Sequence, residues 1–274
     1  MNRTAILRFT VVAGLVMAGA GAGINMGGRT QPKESPLRLV LNVPAHRLYV
    51  FENGKNTRVF KVSVGMVGHQ TPAGTYQINQ SIWNPWWHPP ASPWAEGRKP
   101  EPPGENNPMG RVKLNFAPLL YIHGTNDRVA LGDPASHGCV RLMNDDLIEL
   151  ARTVQKYATP GIKQPVLDEL AANPEETREF NFRSTVPFEV IYNVASVQND
   201  FLYVYPDVYG KIKPAEYHAQ VRDALADNGI DIEDVDQARL EGLLLKGRAS
   251  RVSISLAELR GVPAASATTA SRNR

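Results

Sequence analysis

The chain has 274 residues, of which 42% are hydrophobic and 21% charged, an apolar content sufficient for one large domain or two modest ones. Its formal net charge of +3 is compatible with an anionic polymer as partner. No run of Lys and Arg and no basic stripe interleaved with aromatic residues accompanies that charge, so we expect no nucleic-acid partner. The chain holds one cysteine, Cys139, which excludes an intrachain disulfide.

The first 31 residues have the pattern of an export signal. A basic start with Arg3 and Arg8 precedes an apolar run at 9–17, and the small residues at 18–23 offer a cleavage site. A membrane anchor is the alternative for this stretch, but its glycines favour cleavage. In either case we expect the remaining chain in the periplasm or cell envelope. A single thiol in an oxidising compartment favours a reactive cysteine, because structural cysteines there occur in pairs.

Alternating apolar residues predict strands at 37–43, 47–51 and 58–64, and Asn53-Gly54 predicts a tight hairpin turn between the second and third. A glycine-rich bend at 65–75 comes next, followed by a short strand at 76–78. His69 lies in this bend, and we interpret it as a solvated surface histidine.

The segment 81–110 differs in composition from the rest of the chain. It contains eight prolines and all four tryptophans, which are Trp83, Trp86, Trp87 and Trp94. So many prolines exclude a helix or a central strand, and disordered segments are poor in tryptophan. We therefore predict a folded aromatic lid beside a site, with a purely structural cover as the alternative.

Two short motifs follow, Tyr121-Ile122-His123-Gly124-Thr125 and Ser136-His137-Gly138-Cys139-Val140-Arg141. A nucleophilic cysteine needs a base to take its proton, and glycine before the thiol allows a tight turn whose N–H groups face a developing oxyanion. The pattern favours acyl transfer through a thioester. A buried structural cysteine and a zinc site are the alternatives. The spacing H-x13-H-x-C lacks a close cysteine pair and a fourth ligand, so we expect no metal and no cofactor.

The remaining elements are mixed. Asn144 is predicted to cap a helix at 145–157, with Asp145 and Asp146 as favourable charges at its start. Further helices are predicted at 164–170, 214–228 and 235–245, and further strands at 186–194, 201–205 and 251–256. The Ala/Ser/Thr-rich end at 263–274 is predicted to be disordered.

The paired motifs resemble the signature of the L,D-transpeptidases with a YkuD-type catalytic domain. In that family a His-Gly pair stands about sixteen residues before the cysteine, and here the step from His123 to Cys139 is 16. The resemblance implies that Cys139 is the nucleophile and that His123 is its base, held by the carbonyl of Gly124. It places His137, Ser136 and Arg141 around the substrate and the cysteine loop, with Gly138 in the catalytic turn.

The bend at 65–75 and Pro108-Met109-Gly110 resemble other segments of the family. The segment Asp207-Val208-Tyr209-Gly210 resembles the tail of its larger members, which carry a lid. The fold implied is mainly β, a sandwich or barrel with a helix after the catalytic loop and a small mixed α+β extension. We expect a catalytic domain at 35–158 with 81–110 as a lid-like insertion, and an extension at 159–262. Three lid residues are expected to contact substrate: Trp86, Trp87 and Trp94.

The family's activity implies an acyl donor in peptidoglycan, a stem tetrapeptide that is cleaved before its terminal D-residue. His123 would take the Cys139 proton, so we expect a thiol with a lowered pKa. The acceptor would be an amine on a neighbouring stem, and the protein a monomer. Three alternatives stay open: release of the thioester by water, transfer to a wall-anchored lipoprotein, and a non-catalytic wall-binding module.

Overall fold

The computed structural model describes residues 35–104 and 106–261. The predicted export signal at 1–31 and the tail at 263–274 lie outside the described residues. The described chain divides into two compact units. The first unit runs to Asn193 and includes Asp207–Lys211, and the second comprises Val194–Pro206 and the residues from Ile212 onward.

The first unit consists mainly of strands. Its described elements are β1 (Leu37–Asn42), β2 (Arg47–Glu52), β3 (Lys55–Lys61), β4 (Val64–Gly65), β5 (Gly74–Trp83), β6 (Val112–Ala117), β7 (Leu120–Thr125), β8 (Pro134–Ser136), β9 (Val140–Met143), α1 (Asn144–Ala158), α2 (Gln164–Ala172) and β10 (Arg178–Ile191).

Eight of these strands form one sheet in the order β3-β2-β1-β10-β5-β6-β7-β9. The pairs β1–β10 and β7–β9 are parallel, and the other neighbours are antiparallel. Ser63, just after edge strand β3, forms a β-bridge with Arg141 of the opposite edge strand β9, so the sheet is nearly closed. The predicted mainly β fold is confirmed. The hairpin turn at Asn53-Gly54 has both residues at positive φ, as a tight two-residue turn requires.

Strand β10 corrects the predicted domain boundary at 158. The sequence placed everything after 158 in an extension, but β10 lies in the middle of the sheet. It pairs parallel with β1, where Leu39 is opposite Phe188, and antiparallel with β5. Leu39 and Phe188 are both fully buried. The barrel therefore needs the chain at least to Ile191 for its central strand.

Helix α1 packs on the inner face of this sheet. Its buried residues Leu147, Leu150, Ala151 and Val154 join the core, as the apolar spacing predicted. The predicted cap at Asn144 is wrong, because the side chain makes no capping hydrogen bond and Met143 occupies the capping position. Asn144 Oδ1 instead accepts the Arg111 N–H at 2.9 Å, and its Nδ2 donates to Asn126 at 2.7 Å. The asparagine thus fastens the chain around His123 rather than the helix start.

The aromatic segment begins later than predicted, because residues 81–83 belong to β5. Trp83 is fully buried in the core. Asn84 follows at φ 46°, and its Nδ2 lies within hydrogen-bond distance of the carbonyl oxygens of Leu170, Asn173 and Glu176. Its Oδ1 accepts from Arg111 Nε at 2.8 Å. Asn84 therefore ties the start of the loop to the end of α2.

The second unit has its own core. Its described elements are β11 (Ala195–Gln198), β12 (Phe201–Val204), α3 (Pro214–Ala226), α4 (Gln237–Gly247), β13 (Val252–Ser255) and α5 (Leu256–Leu259). The three strands form an antiparallel sheet, β11-β12-β13. Leu202 and Val204 pack with helix residues such as Val221 and Leu244. Across both described units, none of the helices has the length and apolar character that a membrane span requires.

We expect Asn84→Ala to lower the free energy of unfolding by about 3 kcal/mol, because buried carbonyls lose their donor and Arg111 its acceptor. Urea unfolding measures this loss. Asn53→Ala is the matched control, since Asn53 also has positive φ but is exposed, and it should cost about 1 kcal/mol. Equal losses in the two variants would mean that only the backbone conformation of Asn84 matters.

Candidate active site

The sheet register brings the two sequence motifs together. Ile122 of β7 is opposite Val140 of β9, and both are fully buried on the core face. Side chains alternate along a strand, so His123 and its partner Arg141 point to the other face. Cys139 precedes Val140 and comes beside Tyr121 on that same face. The base and the nucleophile predicted from the sequence therefore lie in neighbouring rows of one sheet face.

His123 is held in one orientation and one tautomer. Its ring is 1% exposed, and Nδ1 lies 2.9 Å from the carbonyl oxygen of Gly124. A carbonyl only accepts, so Nδ1 carries the proton and Nε2 keeps the free electron pair. Gly124 must be glycine, since a Cβ there would lie 2.0 Å from Asn144 Oδ1. The predicted contact between His123 and Gly124 is present.

The turn before Cys139 is fixed from within by Ser136. The buried Ser136 Oγ donates to the carbonyl oxygen of Cys139 at 2.5 Å and accepts the Gly138 N–H at 3.1 Å. The structure thus corrects two predictions: Ser136 is a positioning residue rather than a substrate contact, and the Gly138 N–H does not face an oxyanion. Outside the sheet ladder, no hydrogen bond of the Cys139 N–H is found among the described residues, so this N–H is the candidate donor to an oxyanion. Gly138 has φ 107°, a conformation that favours glycine.

A second group of hydrogen bonds supports the same turn from the bend at 65–75. Thr71 Oγ1 donates to the Gly138 carbonyl at 2.9 Å and accepts the Gly65 N–H at 2.9 Å. The Thr71 N–H in turn donates to the Tyr209 hydroxyl at 3.1 Å, which donates to the Gly65 carbonyl at 2.8 Å. These buried contacts give Thr71 and Tyr209 positioning roles that the sequence did not reveal.

Burial sets the protonation of the pair. It lowers the pKa of His123 to about 3, and the Arg141 charge acts in the same direction. Burial also raises the pKa of the Cys139 thiol, although the Tyr121 amide, Arg141 and Lys113 act against this. The predicted lowered thiol pKa is therefore wrong for the resting site, which holds a neutral thiol and a neutral imidazole. The thiol donates weakly to the Leu119 carbonyl, 3.7 Å away.

His137 lies under the aromatic segment. The ring of Trp94 stacks on His137 with centroids 4.1 Å apart and an interplanar angle of 16°. The His69 ring meets the His137 ring edge-on, with centroids 4.7 Å apart. His69 is exposed, as predicted for a surface histidine, but it lies closer to the candidate site than that prediction implied. Burial, with His69 and Arg141 nearby, lowers the pKa of His137. A neutral His137 is a ring on which Trp94 can stack without desolvating a charge.

The other two tryptophans predicted to bind substrate do not reach these residues. Trp87 is 3% exposed, pairs with Glu101 through a β-bridge, and lies under the Arg98 guanidinium, 4.3 Å from it. The predicted substrate contact of Trp87 is therefore wrong, because its ring is buried against other residues of the same loop. Trp86 is exposed and stacks loosely on His88 at 6.3 Å. Arg141 remains a candidate substrate contact beside His123, and its Nε has no hydrogen-bond partner among the described residues.

Lys113 is a site residue that the sequence analysis missed. It is the register partner of His123 on β6, and its Nζ lies 5.0 Å from the centre of the Tyr121 ring. Val112 and Leu114, its neighbours on β6, are buried in the core, and the pairing of β6 with β7 shows that Lys113 lies on the face of His123. Among the described residues, no three His, Cys, Asp or Glu side chains gather where they could hold a metal ion.

The geometry agrees with a known family. Residues 36–167 match the YkuD family, described as the L,D-transpeptidase catalytic domain. This part of the chain belongs to the YkuD family of L,D-transpeptidase catalytic domains, and the family consists of enzymes.

The chain also matches curated proteins over part of their length. It is 37% identical over 118 residues to YbiS, a probable L,D-transpeptidase of Escherichia coli K12, a match covering 40% of this chain and 39% of YbiS. YcfS of the same strain, also a probable L,D-transpeptidase, is 28% identical over 176 residues, which covers 58% of this chain and 54% of YcfS. The chain thus spans 39% and 54% of these two relatives.

Among solved structures, the NMR structure of the catalytic domain of the E. faecium L,D-transpeptidase aligns with 58% of this chain and 100% of that domain. The identity is 12% and the TM-score 0.37, a likeness too loose to carry an argument.

The buried neutral His123 predicts acid destabilisation. The unfolded histidine binds a proton below about pH 6.5, whereas the folded one stays neutral down to about pH 3. Stability should therefore fall as pH falls through this window, by at most about 1.4 kcal/mol per pH unit from this residue. We expect His123→Gln to flatten the pH dependence of the unfolding free energy measured in urea. His88→Gln, at an exposed position, is the control, and parallel curves for His123→Gln and the unchanged protein would contradict the assignment.

Proposed function

We propose that this protein is an exported peptidoglycan L,D-transpeptidase that joins stem peptides through a thioester on Cys139. The donor is a stem tetrapeptide, and the acceptor is a side-chain amine on a second stem. The observation that carries this proposal is the sheet face on which both motif residues lie. It holds the chain's sole cysteine beside a histidine whose free Nε2 is set by the Gly124 carbonyl.

The first half-reaction begins with neutral partners. As Sγ attacks the donor carbonyl, its proton passes to His123 Nε2, the C–S bond forms, and negative charge develops on the carbonyl oxygen. The Cys139 N–H faces that oxygen, and one such donor contributes about 3 kcal/mol in comparable sites. The C–N bond then breaks, and the proton on His123 passes to the leaving amine of the terminal D-residue.

The second half-reaction reverses these roles. The acceptor amine attacks the thioester carbon and gives its proton to His123. The new C–N bond forms, the C–S bond breaks, and the proton passes from His123 to Sγ, which restores the thiol. One amide is broken and one is made, so no energy source is consumed. Water can replace the amine, in which case the product is a shortened stem, and an amine on a wall-anchored lipoprotein would give an attached protein.

The stacking of Trp94 on His137 supports a lid at this site. The loop that carries Trp94 is folded, since Trp87 and Glu101 exchange two backbone hydrogen bonds of 2.9 Å and Asn107 Nδ2 donates to the Glu101 carbonyl. A stiff loop loses little entropy when substrate binds. Its aromatic surface near the cysteine turn would exclude water until the acceptor amine arrives.

The thioester is tested by trapping it. Intact-protein mass spectrometry after incubation with a carbapenem or a stem tetrapeptide should show one covalent adduct, because the strained amide and the stem amide are attacked by the same thiol. Cys139→Ser should lose the adduct and all turnover, with the melting temperature almost unchanged. Wall-modifying activity retained in Cys139→Ser would contradict the mechanism. A complete lack of adduct and turnover in the unchanged protein would favour the non-catalytic wall-binding module.

The lid is tested by product ratio. Trp94→Ala should increase the share of hydrolysed over cross-linked muropeptides about 3- to 10-fold, because loss of the stacked ring opens His137 and the cysteine turn to water. Trp86→Ala is the matched control, an exposed tryptophan of the same loop without contact to His137. Chromatography and mass spectrometry of the products measure the ratio. The same ratio in both variants would mean that Trp94 has no part in excluding water.

A further inference from the structure

Lys113 is a cation on the His123 face of the sheet that forms no ion pair with any described residue. It is half-buried on β6, in the same row as His123 and Arg141. Its Nζ lies 5.0 Å from the centre of the Tyr121 ring, and Tyr121 is the β7 residue beside Cys139. The lysine head group thus reaches along the sheet toward the nucleophile. Its attraction to the Tyr121 ring holds it in this direction.

This lysine has no counter-ion of its own. No ion pair of Lys113 is found in the part of the chain that the structure describes, although nine other pairs are present there. Burial lowers the pKa of the Lys113 ammonium, whereas the Glu179 carboxylate raises it, and a thiolate on Cys139 would act in the same direction as Glu179. A half-buried cation without a partner is costly for a folded protein. An anionic ligand bound to Lys113 would offset that cost.

The amide side chains next to Lys113 do not supply a charge. Asn115, one row away, donates to Gln80 Oε1 at 2.5 Å, and Gln80 Nε2 donates to Asn181 at 3.1 Å. These three side chains hydrogen-bond to one another across β6, β5 and β10, Gln80 Nε2 also lies 3.5 Å from Glu179 Oε2, and Asn115 Oδ1 has no partner among the described residues. The Glu179 carboxylate lies on β10, two strands away from β6, and forms no ion pair with Lys113 within the described chain. Lys113 is therefore the positive point between these side chains and the thiol.

We propose that Lys113 binds the free carboxylate of the donor's terminal D-residue, and this inference rests on the proposed function. That carboxylate is one residue beyond the attacked carbonyl, within about 3.6 Å of extended chain. A carbonyl placed on Cys139 Sγ would thus bring the carboxylate toward the neighbouring Tyr121 and the Lys113 ammonium. Recognition of the chain end restricts the enzyme to donors that end at this D-residue. Lys113 is then a specificity-determining residue.

Arg141 is the other cation near the thiol, and it is placed differently. It lies on edge strand β9, two residues after Cys139, and its Nη1 lies 3.5 Å from the Ala135 carbonyl of β8. The Asp127 carboxylate, in the connection between β7 and β8, raises the pKa of Arg141. Arg141 therefore lies on the edge-strand side of His123 and Lys113 on the interior side. A donor that crosses the face from the edge inward meets Lys113.

The experiment compares two synthetic tetrapeptide donors, one with a free terminal carboxylate and one with a terminal carboxamide. Single-turnover thioester formation is followed by intact-protein mass spectrometry, which needs no acceptor. Lys113→Gln should lower kcat/KM about 10- to 100-fold for the carboxylate donor and less than 3-fold for the carboxamide donor. Lys113→Arg should restore most of the preference. Lys156→Gln is the matched control, because Lys156 Nζ also lies over a tyrosine, 4.9 Å from the Tyr157 ring, on α1.

Two further measurements separate the possible causes. The rate of alkylation of Cys139 by iodoacetamide, a neutral reagent, should change less than 3-fold in Lys113→Gln. Equal losses with both donors, or a parallel loss of alkylation, would overturn the inference and make Lys113 a support for the thiol. Calorimetry with Cys139→Ala tests binding without chemistry, and preference for the carboxylate peptide should vanish when Lys113→Gln is added. If the unchanged protein formed no thioester but Cys139→Ala kept this preference, the proposed function would fail while the carboxylate site stood.

Discussion

The parallel pairing of β7 with β9 is the constraint on which the site depends. Two parallel neighbours cannot be joined by a tight turn, so the chain between them must cross over along residues 126–139. This connection explains the long spacing between His123 and Cys139 in the sequence. A shift of the register by one residue would turn the cysteine into the core and bring Val140 to the surface. The buried Ile122–Val140 pair therefore fixes the chemistry as well as the fold.

Burial makes the resting site a neutral one. In a solvent-exposed site a larger fraction of the thiol would be ionised, and the thiolate would react with oxidants and foreign disulfides. Here the pKa of Cys139 is raised and that of His123 is lowered, so the thiol keeps its proton and the imidazole stays neutral until an electrophile is bound. Arg141 and Lys113 favour the thiolate from two sides, which reduces the work of proton transfer once substrate has displaced water. A neutral thiol is less reactive toward oxidants than a thiolate, so this arrangement protects Cys139 from oxidation.

The fold class and the meeting of His123 with the cysteine motif could be predicted from sequence because their signals are local. His123, Gly124 and Cys139 stand in short motifs, and strand alternation is visible over a few residues. Contacts between distant strands leave no such local trace. The central place of β10, and Lys113 beside His123, depend on pairings that composition does not specify. Among the loop tryptophans, only the folded backbone separates Trp94, which reaches His137, from its neighbours.

The segment Asp207–Lys211 returns to the first unit after the chain has built β11 and β12 elsewhere. Through it, the Tyr209 hydroxyl supports Thr71, which supports the carbonyl of Gly138. A chain emerging from its N-terminus therefore contains Cys139 long before it contains the last brace of the cysteine turn. The order of synthesis therefore matters, because a partly made or truncated protein carries Cys139 in a turn that Tyr209 does not yet support. The last support of the cysteine turn is in place only after residue 209 has been added to the chain.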